Sequence, residues 1–125
     1  MSAQKIGLIE DDRILSDALS GGLKDAGFRV ERAFDGEEGL AMVLAKKPDL
    51  ILLNILLPKM DGLTVAKKLK SDPATKEIPI IILTVLEKSE PVATALESGV
   101  YEYLVKSKFK VEDIVKRVQE HFKAS

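Results

Sequence analysis

Pro48-Asp49-Leu50-Ile51-Leu52-Leu53-Asn54-Ile55-Leu56-Leu57-Pro58-Lys59-Met60-Asp61-Gly62 is the stretch on which the fold turns. Residues 50–53 are all Leu or Ile, with no polar residue to face water. A run that short and that apolar suits a strand of a parallel sheet, buried on both faces. A helical stripe follows directly, Leu63, Ala66 and Leu69, opened by Asp61-Gly62. Strand then helix is the unit that a parallel crossover requires.

Working outward, the same unit recurs. Apolar runs at 6–9 and 80–83 resemble the central one in length and composition. A weaker run, Tyr103-Leu104-Val105, precedes Lys106. A fifth, at 28–34, mixes Val30 and Ala33 with charges and reads as an edge strand. Between the runs lie stripes with helical spacing: Ile14, Leu15, Ala18, Leu19 and Leu23; Leu40, Val43 and Leu44; Val92, Ala93 and Leu96; and Val111, Ile114, Val115, Val118 and Phe122. Asp12, Asp35 and Ser89 stand where helix N-caps belong, and Gly27 and Gly99 where helices stop. The reading is strands near 5–9, 28–33, 49–53, 79–84 and 103–105, and helices near 13–26, 36–46, 63–70, 90–98 and 110–122.

Strict alternation of strand and helix predicts an α/β, doubly wound, five-stranded parallel sheet with helices on both faces. Strand order 2-1-3-4-5 places the edge-like run at an edge. Ligands of such sheets bind beyond the carboxyl ends of the strands, at the switch in strand order, here between strands 1 and 3.

Composition narrows the classes further. The chain has 125 residues, the size of one domain, so 1–125 is read as a single unit. It carries 19 Lys+Arg against 20 Asp+Glu, a net charge of −1, which argues against electrostatic binding to nucleic acid. No apolar run approaches the about 18 residues of a membrane span. There is no Cys, which fits a reducing cytosol and a cytoplasmic location.

Four groups converge on the predicted rim. Strand 1 ends in Glu10-Asp11-Asp12, strand 3 in Asn54, strand 4 in Thr84 and strand 5 in Lys106. Adjacent carboxylates repel, and Mg²⁺ relieves such repulsion using one or two carboxylates plus other oxygens. A hydroxyl and an ammonium opposite them suit an oxyanion or phosphoryl group. A carboxylate facing the metal could be phosphorylated, but Asn54 is not one. Asp12 reads mainly as a helix cap. A flavin site on the same architecture is disfavoured, because the loop after strand 1 is acidic and would repel a phosphate; no organic cofactor is called for. His121, Lys67, Lys68 and Lys70 read as solvated, and Met42 and Met60 as core fillers.

These segments together resemble the receiver domain of two-component response regulators, the family of the chemotaxis regulator, over essentially the whole chain. The quoted stretch resembles the receiver signature, in which a phosphoacceptor Asp ends strand 3. Leu8-Ile9-Glu10-Asp11-Asp12, Ile80-Ile81-Ile82-Leu83-Thr84 and Tyr103-Leu104-Val105-Lys106 resemble the other three strand ends. The resemblance implies a flavodoxin-like receiver fold and a signalling module, not an enzyme in its own right. It would accept a phosphoryl group at position 54 from a histidine kinase or phosphotransfer protein. It implies Mg²⁺ held by Glu10, Asp11, position 54 and the Leu56 carbonyl, weakened here by Asn54. Thr84 and Lys106 would contact the phosphoryl group, and Thr84 and Tyr103 would form the switch. A downstream protein would bind the face of helix 4, strand 5 and helix 5. Monomer or weak dimer is the expected state.

Three positions depart from the pattern: Asn54 for Asp, Ser107 where Pro usually follows the lysine, and Val85 where a small residue is common. Asn54 leaves two readings. One is a receiver whose acceptor was replaced deliberately, trapping the unphosphorylated state; the intact Glu10, Asp11, Thr84 and Lys106 favour it. The other is a natural pseudo-receiver that binds partners independently of phosphorylation.

Overall fold

Leu50–Asn54 forms β3, and every one of its residues is buried. The other strands of this computed structural model, which describes residues 3–85 and 102–123, are β1 (Lys5–Ile9), β2 (Arg29–Ala33), β4 (Ile80–Thr84) and β5 (Glu102–Val105). They form one parallel sheet in the order β2-β1-β3-β4-β5. The helices are α1 (Arg13–Asp25), α2 (Gly36–Lys46), α3 (Gly62–Ser71) and a C-terminal helix, Val111–Lys123. The helix expected at 90–98, with its caps Ser89 and Gly99, lies outside the described residues.

The period of two along a strand sends alternate side chains to opposite faces. Ile51 and Leu53 pack with Val43 of α2 and with Val65, Ala66 and Leu69 of α3. Leu50 and Leu52 pack with Leu19 and Leu23 of α1 and with Ile114, Val115 and Val118 of the C-terminal helix. The central strands therefore sit between two apolar layers, which is why their sequences carry no alternation. β2 has an exposed outer margin, as its charged sequence requires.

Two stripes are corrected. In α1, Ile14 is 84% exposed, and Ala18 is exposed as well. The buried face is Ser16, Leu19, Ser20 and Leu23, with Leu15 half-buried. Small serines share the buried face with the leucines, so counting apolar residues rotates the predicted face. In α2, Leu44 is 40% exposed. The helix instead buries Gly36, Gly39 and Val43. Gly39 lies so close to Ile9 that a Cβ there would come within 2.8 Å of its side chain.

Two polar residues are corrected too. Lys70 is not a solvated charge. It is half-buried, and its Nζ donates to the carbonyls of Lys76 (3.0 Å) and Ile78 (2.8 Å). Burial pulls its pKa down, against the attraction of Glu77. His121 is half-buried as well, edge-on to Phe122 with ring centroids 5.0 Å apart. Lys67 and Lys68 are exposed as expected. The Lys106–Ser107 bond is trans, and the chain turns there through a 3₁₀ segment, Lys106–Lys108.

The helix starts follow local chemistry. Asp12 accepts from the backbone N–H of Ile14 and Leu15, Asp35 from that of Glu38, and Asp61 from that of Thr64. Burial pushes the Asp61 carboxyl up. Hydrogen bonds from the Thr64 N–H and hydroxyl, and from the N–H of Leu63 and of Asp61 itself, outweigh this and hold its pKa below the ordinary 3.8. The sign follows: a depressed folded-state pKa gives stability that is present above 3.8 and lost as pH falls through the lower folded-state value. Asp61→Ala is expected to cost about 1 kcal/mol at neutral pH, the usual worth of an N-cap. The gap between variant and parent urea midpoints should close as the carboxyl protonates. A gap independent of pH would show that Asp61 contributes packing and no charge-assisted cap.

Candidate functional site

The register brings the carboxyl ends of four strands level. Ile9 pairs with Leu53, Asn54 with Leu83, and Thr84 with Val105. Glu10, Asn54, Thr84 and Lys106 therefore leave the sheet on one rim. Glu10 and Thr84 are completely buried, and Asn54 nearly so.

Glu10 prolongs the ladder, its N–H donating to the Ala33 carbonyl at 3.1 Å. Its Oε2 accepts the N–H of Asp12 at 3.1 Å. Its Oε1 pairs with Lys106 Nζ at 2.6 Å. Burial raises the Glu10 pKa above the ordinary 4.5; the Lys106 ammonium and the Asp12 N–H pull it back, and Asp11 pushes it further up. Asp12 turns away to cap α1, while Asp11 turns toward Asn54.

The loop after β3 doubles back on itself. Leu57 N–H donates to Ile55 O (3.1 Å), Met60 N–H to Pro58 O (2.8 Å) and Gly62 N–H to Ile55 O (2.7 Å). Gly36 N–H fastens it from α2 by donating to Pro58 O at 3.2 Å. This curl brings the Leu56 carbonyl back to the side chain of Asn54, two residues earlier. Asn54 Nδ2 then donates toward three oxygens: Glu10 Oε2 (3.1 Å), Asp11 Oδ1 (3.0 Å) and Leu56 O (3.1 Å). An amide nitrogen has two hydrogens and no lone pair free to accept. Surrounded by acceptors, the nitrogen and not Oδ1 must face the acids.

The three oxygens are hard donors of the kind Mg²⁺ prefers. Their common centre, however, is held by an N–H donor. In this arrangement the residues present do not fit a divalent cation, although the oxygen atoms around the centre are of the right type.

The expected site residues Glu10, Asp11, Asn54 and Leu56 thus meet directly, and Lys106 joins through Glu10. Thr84 lies one strand over, one residue past Leu83, the register partner of Asn54. Tyr103 is half-buried against the cluster of α2 and α3. Val85 is 61% exposed just past Thr84. Of the expected partner face, β5 and the C-terminal helix are described, linked by an Arg117–Glu102 ion pair; the helix expected at 90–98 falls outside the described residues.

Sequence spacing missed two supports. Phe34 holds the Arg13 guanidinium over its ring at 3.6 Å, with Arg32 at 5.5 Å, and ties the start of α1 to the end of β2. Gly36 and Gly62 clasp the loop by backbone approach. A Cβ on Gly62 would fall 2.1 Å from the Asn54 carbonyl oxygen. Gly62 belongs to the signature stretch, but its contact exists only in the folded loop.

A family profile described as response regulator receiver domain matches residues 6–119. The "DNA-binding dual master transcriptional regulator RpaA" of Synechocystis sp. (strain ATCC 27184 / PCC 6803 / Kazusa) is 40% identical over 115 residues, covering 92% of this chain and 47% of that protein. The chain spans half or less of the length of the first curated relatives it matches. Among solved structures, a CheY-like response regulator receiver domain protein from Methanospirillum hungatei JF-1 superposes with a TM-score of 0.90 at 25% identity, covering 98% of this chain and 96% of that one. The Mn²⁺-bound form of response regulator Rcp1 gives a TM-score of 0.80 at 31% identity, covering 94% and 90%.

Proposed function

This chain belongs to the response regulator receiver domain family of two-component signalling, and from that premise we propose that position 54 is its phosphoacceptor place and that Asn54 blocks phosphorylation. The observation that carries this is the position of Asn54. It ends the central strand, level with Leu83 and one residue short of Thr84, and it touches Glu10 and Asp11. A carboxylate there would accept a phosphoryl group from a histidine kinase or phosphotransfer protein, with Lys106 and Thr84 beside it. Thr84 and Tyr103 are the switch pair. Output passes to a downstream protein through β5, the C-terminal helix and the segment between β4 and β5, and the setting is the cytoplasm. With a net charge of −1, this chain is not itself the nucleic-acid contact. RpaA is named as DNA-binding, and this chain aligns with only 47% of it.

The test is phosphoryl uptake from acetyl phosphate by Asn54→Asp and by the parent, read by intact mass. Uptake by the variant alone supports the reading. A second reading, a natural pseudo-receiver, is favoured by the way the Asn54 amide already engages its neighbours. The codon at position 54 in the native gene decides between them.

A further inference from the structure

We infer that the Asn54 side-chain amide is a built-in substitute for a divalent cation, making the acidic pocket cation-independent; the inference deepens the receiver reading and rests on it for the meaning of the pocket. Its basis is the three contacts of one nitrogen. Glu10 Oε2, Asp11 Oδ1 and Leu56 O lie 3.1, 3.0 and 3.1 Å from Asn54 Nδ2. These atoms come from two strand ends and a loop, with Glu10 and Asp11 more than forty residues away in the chain from Asn54.

A carboxylate pair this close, with Glu10 entirely buried, needs positive charge or donors between its oxygens. The amide supplies two polarised hydrogens at the point where the oxygens converge. Lys106 supplies a full charge to the remaining Glu10 oxygen at 2.6 Å. The chain's own groups therefore offset one carboxylate charge and supply donors to the converging oxygens. An entering cation would meet the N–H side of the amide. To admit it, the amide must rotate to offer Oδ1 and give up all three contacts. The weak metal affinity expected of this chain then has a cause beyond the missing charge: the centre is already taken.

The two causes separate by experiment. Asn54→Ala has the same charge as the parent but no amide. If charge alone sets affinity, the alanine variant binds no better than the parent. If the amide occupies the centre, removing it opens the site. Binding is read with Mn²⁺ by electron paramagnetic resonance of the free ion, with Mg²⁺ as competitor. The alanine variant should bind Mn²⁺ at least about tenfold more tightly than the parent, and should gain thermal stability on adding Mg²⁺. The parent should melt at one temperature in Mg²⁺ and in chelator. Parent binding equal to or tighter than that of the variant overturns the inference, because the amide then helps the ion through Oδ1. Should the alanine variant fail to fold, the parent arm decides: a rise in parent melting temperature with Mg²⁺ overturns it, and invariance supports it. Failure of the receiver reading shows elsewhere, as an Asn54→Asp variant that takes up no phosphoryl group, and leaves these cation measurements standing.

Discussion

Asn54→Asp is expected to change phosphoryl uptake from acetyl phosphate, with Mg²⁺ present, from none to one group per chain. The step balances simply. A carboxylate oxygen of the new side chain attacks phosphorus, the bond from phosphorus to the acetate oxygen breaks, and acetate leaves. An amide cannot do this, because its oxygen carries no full charge and its nitrogen lone pair is delocalised. The substitution is nearly isosteric, so the sheet should be unchanged. Its pocket will not be. The amide donates toward Glu10, Asp11 and the Leu56 carbonyl, and a carboxylate would present only acceptors to all three. Leaving buried charge uncompensated costs about 3 kcal/mol. The variant should therefore melt below the parent when divalent cations are chelated. Adding Lys106→Ala to it should slow phosphoryl uptake, since the ammonium lies beside the acids, 2.6 Å from Glu10. An intact mass showing no adduct on a folded Asn54→Asp chain would refute the assignment of position 54.

Gly36→Ala is expected to destabilise the chain by about 3 kcal/mol, at the upper end of overpacking costs. That corresponds to roughly 10 °C in melting temperature for a domain of this size. Gly36 opens α2, where alanine is ordinarily the better helix former by nearly 1 kcal/mol. A local account therefore predicts the opposite sign. The tertiary account prevails because the added Cβ would lie 1.7 Å from the Met60 carbonyl oxygen and 2.6 Å from its carbon. Those atoms are backbone, so the loop must move, and the Leu56 carbonyl moves with it. The Asn54 side-chain NH₂ resonances should shift in the same variant. Gly21→Ala is the control. Nothing lies within 4 Å of its added Cβ, so the substitution should stabilise α1 by about 0.8 kcal/mol. Calorimetry of the two variants reads both signs. Stabilisation by Gly36→Ala would mean that α2 and the loop do not touch as described.

The strands and their order were legible because each rests on a short, local signal. Residues 50–53 read as a doubly buried strand from their composition, and they lie at the centre of the sheet. The caps at Asp12 and Asp35 were equally visible, since a carboxylate and the N–H groups it serves lie within three residues. What failed was inference about faces. Ile14 and Leu44 counted as core by type, yet both are exposed. The serines and glycines on the buried faces carry no hydrophobic signal. Lys70 counted as solvated by charge, yet its ammonium is tied to two carbonyls of the next loop.

The sequence by itself determined the alternation of strand and helix, the parallel sheet and the residues at its rim, because hydrophobic period and capping chemistry act over a few residues. It also determined that position 54 carries an amide. Only the tertiary structure decided which way that amide points. Its partners come from β1 and from a loop curled back by Gly36 and Gly62, and no local rule relates atoms so far apart in the chain. The folded rim alone brings Glu10, Asp11 and the Leu56 carbonyl within 3.1 Å of the Asn54 nitrogen.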